Sequence, residues 1–369
     1  MLGNVLPLNL DNNVSVATGQ KLLMKHPDVP TDAGFILSPF TSSLSSPLWL
    51  HASKIIEGAE LIGIDFSDDD LRINNSVDVS AKENKFPDQV TKEVYLQQVN
   101  QILQGIKGGP VEKAVLSRTI LIPFKTEHEA PHLFRRLTET YKDAFVYLLS
   151  FPGAGSWIGA TPELLLSAWY DDLPLQNTEP KSSEPLNTMH IRTMALAGTR
   201  KLGTTGEWGT KEIEEQQWVV TYIQDKLAAS GCTGIMQSDT YTAAAGNVEH
   251  LRTDFRASIP VSNINILLQK LHPTPAVCGW PADKALDLIL KTENYNRSYY
   301  TGFLGPVNVD GASGLYVNLR CMQATNKQAA LYIGGGITRG SIPEDEWEET
   351  SIKSRTLLSE IEKIRNLAH

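Results

Sequence analysis

Residues 95–122 read YLQQVNQILQGIKGGPVEKAVLSRTILI, and their apolar period changes half way. Tyr95, Val99, Ile102, Leu103 and Ile106 follow the i, i+4, i+7, i+8, i+11 spacing of a helix with one apolar face. Gly108, Gly109 and Pro110 stop that helix, and 112–122 then reads as a strand rich in β-branched residues. Further strands are expected in 144–151 (AFVYLLSF) and across 156–169 (SWIGATPELLLSAW). A hairpin is expected from 315–324 (LYVNLRCMQA) and 329–337 (AALYIGGGI), joined by turn residues at 325–328. Helices are expected over 212–227, with an apolar side at Trp218, Tyr222 and Ile223, and over 344–368, with Ile342 and Pro343 just before its start. Short strands and turns are expected in 48–66, a charged loop at 67–75 and a polar loop at 177–187. Helices and antiparallel strands interleave without a βαβ rhythm, so the fold class is α+β.

The chain has 369 residues, which sets a soft prior of about two domains. No repeat or low-complexity linker marks a boundary, however. Lys and Arg number 33 against 42 Asp and Glu, a net charge of −9, which argues against a sequence-independent nucleic-acid binder. Cys232, Cys278 and Cys321 lie far apart without a CxxC pair, so neither a disulfide framework nor a structural zinc site is expected. No basic leader is visible in the first residues, and no apolar run approaches the length of a membrane span. A cytoplasmic protein without membrane or nucleic-acid partners is the expectation. The Asn-x-Ser matches at Asn13, Asn74 and Asn296 then carry no weight.

Several residues could carry chemistry. Glu212 and Glu215 share one helix face, and Glu346, Glu349 and Lys353 share another. On this spacing each Trp or apolar neighbour points the opposite way. Brought together, the two faces would form an oxygen-rich site suited to Mg²⁺; apart, they are simply solvated. Gly334, Gly335 and Gly336 could let backbone N–H groups approach an anion, or could form a tight turn. The P-loop lysine is missing, so no phosphate loop is expected there. Lys113, in an apolar strand, is either an edge lysine in water or a desolvated base. Glu163, within GATPELLL, is either a strand-end surface carboxylate or an acid whose pKa rises in a dry site. His250 and His272 have no metal-ligand spacing and fit hydrogen-bonded core positions.

Read together, eight segments between about residues 90 and 365 resemble the chorismate-utilising enzymes. They are 113–118 (KAVLSR), 159–165 (GATPELL), 196–200 (LAGTR), 211–215 (KEIEE), 248–252 (VEHLR), 271–279 (LHPTPAVCG), 332–336 (YIGGG) and 346–350 (EWEET). The family comprises anthranilate, aminodeoxychorismate, salicylate and isochorismate synthases. The resemblance implies one large α+β domain over 1–369, with antiparallel sheets in a central sandwich and helices outside. Residues 1–88 would be its variable part and 89–369 its motif-bearing catalytic part.

Members that use water resemble this chain in having a lysine at position 113. Anthranilate synthases lack it, and aminodeoxychorismate synthases place a nucleophilic lysine where Ala197 stands here. His272-Pro-Thr-Pro275 resembles the isochorismate synthase version. The expected reaction is therefore isochorismate formation, with salicylate synthesis as the alternative. An anthranilate synthase large subunit or an inactive paralogue fits less well.

The resemblance further implies Lys113 as base and Glu163 as acid. Glu215 and Glu349 would be Mg²⁺ ligands, with Glu212 and Glu346 holding the ion's waters. Arg320 and the backbone of Gly334, Gly335 and Gly336 would hold the pyruvyl carboxylate. Tyr300 and Lys353 would be further substrate contacts, and Gly198, Thr199 and His250 would line the ring. Gln216 and Glu249 depart from the family pattern, which often has His and Gln at those positions. The partner expected is the small molecule chorismate, without a glutaminase subunit, for a monomer or weak dimer.

Overall fold

A computed structural model describes residues 15–18, 21–24, 34–43, 47–51, 54–57, 86–126, 129–151, 155–170, 187–246, 248–309, 311–325 and 327–367. The loop expected at 67–75 lies outside these residues, as do the strands and turns expected beyond 57, nearly all of the 177–187 loop and the chain's first residues.

The expected helices form where the periodicity puts them. Helix α1 (Lys92–Gly108) starts at Thr91, whose hydroxyl accepts the Val94 N–H, and ends at Gly109. All five of its periodic apolar residues are buried. The other helices are α2 (Glu129–Thr140), α3 (Thr210–Ala228), α4 (Ile264–Leu271), α5 (Ala282–Thr292) and α6 (Pro343–Leu367). Pro343 is the first residue of α6 rather than its forerunner, a position where a missing N–H costs nothing.

The described strands build two antiparallel sheets. The first runs Gly279–Trp280, Lys113–Pro123, Gln328–Thr338, Cys321–Ala324, Gly155–Thr161, Phe145–Phe151, Ser15–Thr18, Lys21–Met24 and Lys54–Glu57. The second runs Thr233–Gln237, Val248–Pro260, Thr188–Lys201, Leu164–Trp169, Ala312–Val317, Phe303–Val307, Gly34–Ser38 and Leu48–His51, with Tyr241–Ala245 also on Val248–Pro260. The N-terminal strands extend both sheets and form no separate unit.

Side-chain alternation then sets the layers. Tyr147, Leu149, Trp157, Cys321 and Tyr332 of the first sheet meet Phe35, Leu37, Leu50 and Leu304 of the second in one buried cluster. Their neighbours along the strands, such as Val146, Leu148, Ile158 and Met322, point outward to α2 and α6. Helices α1 and α5 cover the rest of that outer face, while α3 and α4 cover the second sheet. The architecture is a central sandwich with helices outside, in one domain.

Two strands expected as continuous runs are broken, and both breaks cross between sheets. Gly155–Thr161 belongs to the first sheet and Leu164–Trp169 to the second, so Pro162 and Glu163 form the crossing. Ala312–Val317 belongs to the second sheet and Cys321–Ala324 to the first, with 318–320 between them. Only the Cys321–Ala324 half joins the expected hairpin. Arg320 takes a positive φ of 47° there, a left-handed turn that ends one strand and re-aims the chain. Proline cannot donate to a ladder, and the bend costs hydrogen bonds that a cavity wall leaves open anyway.

Candidate active site

Between the sheets, at the end where these crossings lie, α3 and α6 close over a cavity with an empty volume of about 1030 Å³ including its mouth. Lys113, Glu163, Gly198, Thr199, Glu212, Glu215, His250, Tyr300, Arg320, Gly334, Gly336, Glu349 and Lys353 all line it. Of the residues given a role in the site from sequence, Gly335 and Glu346 are outside that lining. The three glycines form no turn. They sit within the strand Gln328–Thr338, paired with Ser117, Leu116 and Val115. Alternation therefore sends Gly334 and Gly336 inward and Gly335 to the opposite face, against Tyr95, Thr350 and Glu346. A Cβ on Gly336 would stand 2.8 Å from Lys113 Cε, so a bare backbone is what admits the lysine stem.

Lys113 is 2% exposed, which settles the edge-lysine alternative against it. Its ammonium pairs with Glu215 Oε2 at 3.1 Å. Glu163 is 3% exposed at its crossing, and burial pushes its carboxyl up to about 8, with the charges of Lys113 and Arg320 pulling the other way. At neutral pH this carboxyl keeps its proton.

His250 is buried and neutral, its pKa driven down to about 3 by desolvation and the Arg320 charge. Its Nδ1 lies 2.8 Å from the Gly198 carbonyl and 3.3 Å from the Thr199 hydroxyl, while Nε2 lies 2.9 Å from Arg320 Nη2. A guanidinium can only donate, so Nε2 accepts and Nδ1 carries the proton. Arg320 also donates to the Ala245 carbonyl at 3.0 Å, and burial lowers its pKa to about 10. Tyr300 stacks on Tyr332 at 5.4 Å, and its hydroxyl stands 2.9 Å from where a Cβ on Gly334 would be.

The two acidic helix faces do meet here, with Glu215 and Glu346 out of solvent and Glu212 and Glu349 half-buried. Glu215 and Glu346 are 8% and 2% exposed. On α3 the apolar residues share the carboxylate face, contrary to expectation: Glu215, Val219 and Tyr222 lie on one stripe and are all buried, while Ile213 is exposed. Burial and the neighbouring Glu349 raise the pKa of Glu346, whereas Lys353 holds that of Glu349 down against its own burial. Lys211 donates to Glu346 Oε1 at 2.8 Å, and Lys353 donates to Glu349 Oε1 at 2.7 Å and to the Gly334 carbonyl at 3.3 Å. Glu346 Oε2 is buried and has no hydrogen-bond partner. Among the described residues no three His, Cys, Asp or Glu side chains are already drawn together around one point. The carboxylates that line the cavity, Glu212, Glu215 and Glu349, nonetheless offer only oxygen donors, and that chemistry fits a hard divalent cation such as Mg²⁺.

Lys211 had no role assigned from sequence, although a signal existed. A lysine in the first turn of a helix opposes the helix dipole and so calls for a nearby anion. The two departures from the family pattern are structural here. Gln216 accepts the Ala197 N–H at 2.9 Å and donates to Thr253 at 3.0 Å, while Glu249 pairs with Arg200 at 2.9 Å. His272 is a core histidine, with Nε2 3.2 Å from the Phe40 carbonyl. The cysteines are free thiols, two of them buried.

A family model for the chorismate binding enzymes matches residues 65–362, most of the chain. The chain belongs to the chorismate-binding enzymes. Among relatives in this family, the vibriobactin-specific isochorismate synthase of Vibrio cholerae is 28% identical over 293 residues, covering 78% of this chain and 71% of the relative. Isochorismate synthase DhbC of Bacillus subtilis is 28% identical over 277 residues, covering 72% and 67%. The structure of MenF, the menaquinone-specific isochorismate synthase of Escherichia coli, superposes with a TM-score of 0.70 at 21% identity, over 96% of this chain and 90% of that one. Anthranilate synthase component I of Streptococcus pneumoniae gives 0.62 at 19% identity, over 90% and 82%. The fold is thus shared by solved structures named as an isochorismate synthase and an anthranilate synthase component. No helix among the described residues is long and apolar enough to cross a membrane.

Proposed function

We propose that this chain is an isochorismate synthase, an isomerase that moves the ring hydroxyl of chorismate from C4 to C2. The observation that carries this reading is one cavity holding a buried lysine, Lys113, and a buried carboxyl that keeps its proton at neutral pH, Glu163. Water attacks C2, and Lys113, acting as the neutral amine, takes the proton that the water gives up. Both ring double bonds shift by one position, the C4–O bond breaks, and the departing hydroxyl leaves as water with the proton of Glu163. One water enters and one leaves, and the acid and base have exchanged a proton to be returned from solvent. Ala197 offers no amine that could attack in water's place.

Arg320 and Lys353 supply positive charge for the substrate's carboxylates, Arg320 with its fork oriented by neutral His250 and the Ala245 carbonyl. Gly334 and Gly336 keep the inner wall clear for the ring side of the substrate, and Tyr300, Gly198 and Thr199 complete it. Mg²⁺ would be held by Glu215 and Glu349, with Glu212 and Glu346 reaching it through water, and when bound it would neutralise and orient the ring carboxylate.

The test is incubation of the purified protein with chorismate and Mg²⁺, followed by chromatography. Isochorismate is the expected product. Salicylate with released pyruvate, or anthranilate formed from ammonia, would replace this reading by another member of the family.

A further inference from the structure

Three lysines neutralise the carboxylates of α3 and α6, and they differ in what else they do. Lys113 is sealed in the sandwich on Glu215, and Lys353 is tied to both Glu349 and the Gly334 carbonyl. Lys211 has neither constraint. Among the described residues its one side-chain hydrogen bond is to Glu346 Oε1, at 2.8 Å, and its side chain is 33% exposed on a flexible stem that can swing into water. Its position in the first turn of α3 disfavours a cation, so the anion across the gap on α6 is what holds it.

We propose that Lys211 is a tethered counter-cation of the metal site, latching α3 to α6 through Glu346 when no metal is bound and being displaced into solvent when a divalent cation binds. This rests on the assignment of the four glutamates as a Mg²⁺ site. A divalent ion entering with Lys211 and Lys353 in place would meet their two positive charges among the carboxylates. Lys211 is the lysine that can leave without giving up a substrate or proton-transfer role. Mg²⁺ affinity is then the balance between ion and lysine for one carboxylate, so Lys211 sets the Mg²⁺ concentration at which the site fills.

The experiment is calorimetric titration with Mg²⁺ alone, without chorismate, on the wild-type protein, Lys211→Gln and Lys211→Arg, with melting temperatures in the presence and absence of Mg²⁺. Removing a competing charge at this range is expected to tighten Mg²⁺ binding at least about tenfold in Lys211→Gln. The variant should also melt lower than wild type without Mg²⁺, because Glu346 loses its partner, and should gain more from added Mg²⁺. Lys211→Arg, which keeps the charge, should bind Mg²⁺ no more tightly than wild type. Equal or weaker Mg²⁺ binding by Lys211→Gln overturns the displacement role while leaving the metal site standing. Absence of Mg²⁺ binding in every protein, including wild type, overturns the site and the latch together.

Discussion

Two clusters of buried charge flank the strand Lys113–Pro123, and they are built to opposite ends. On one side Arg297 and Glu293 pair at 2.6 Å, and every polar atom of both is used. Glu293 accepts from Ser117 N–H at 2.8 Å, from the Ser117 hydroxyl at 2.7 Å and from Arg297 Nε at 2.8 Å. Arg297 donates onward to the carbonyls of Val115 and Val277 and to Thr301, and lies 4.3 Å over the Phe40 ring. On the other side lie Lys113, Glu163, Glu215, Glu346 and Arg320, with an unpartnered oxygen on Glu346 and a proton-bearing carboxyl at Glu163. The closed cluster is a rivet holding Val115 and Ser117, and hence Lys113 two residues earlier, in place. The open cluster keeps its chemistry unspent. Full satisfaction marks structure and incomplete satisfaction marks function.

That contrast can be broken in four ways. The largest effect belongs to Lys113→Ala, expected to lower kcat about 10³-fold or more, as loss of a proton-transfer group does. Mg²⁺-dependent chorismate binding, followed by calorimetry, should survive. Near-normal turnover would remove Lys113 from the base role.

Next in size, Arg297→Met should destabilise the fold by about 3–5 kcal/mol, because it strands Glu293 in the interior. Denaturant unfolding measures this. The residual folded enzyme should keep the pH profile of wild type, since the rivet takes no part in proton transfer. A shifted profile would place it in the reaction.

Gly336→Ala comes third. Its methyl must push the Lys113 stem aside, so kcat should drop about 10²-fold from misplacement, with a stability loss of only about 1–3 kcal/mol. Steady-state kinetics beside thermal melts separates the two, and an unaffected kcat would show that Lys113 tolerates the shift.

The smallest effect is one of pH. Glu163 keeps its proton up to about pH 8 in the folded protein, against an ordinary 4.5 when unfolded. Its contribution to stability is therefore complete below pH 4.5 and lost as pH rises towards 8, since there the unfolded chain gives up a proton that the folded one retains. Over the same titration kcat/KM should fall above about pH 8, by about tenfold per unit, as the acid form disappears. Glu163→Gln should flatten the stability curve and gain on wild type between pH 5 and 9. If its stability tracked wild type across that range, Glu163 would not be the raised group.

Much of this was legible in the sequence, and the failures have a common cause. The period of Tyr95, Val99, Ile102 and Ile106 wrote α1 outright, because its apolar face packs on one layer. Lys113 and Glu163, the proposed base and acid, were visible as charges in apolar strands, although spacing alone left each open between a wet edge and a dry site. Alternation passes unbroken through Trp157, Gly159, Thr161 and Glu163, so nothing local announces that the chain changes sheets at Pro162. The same holds at Arg320, where the run 315–324 keeps its β character across the crossing. Those two crossings are what deliver Glu163 and Arg320 into the cavity. On α3, helical spacing gave the carboxylate face correctly but not its environment, since Glu215 shares its stripe with Val219 and Tyr222. Pairing partners such as Lys211 with Glu346 lie 135 residues apart, and no local pattern joins them.

The central claim is that water, activated in this cavity, becomes the new hydroxyl. Turnover of chorismate with Mg²⁺ in water enriched in heavy oxygen tests it directly, with the product sampled at early times and read by mass spectrometry. Isochorismate carrying one heavy oxygen at C2 is the predicted result. Isochorismate without the label, or a product that is not isochorismate, would contradict the account.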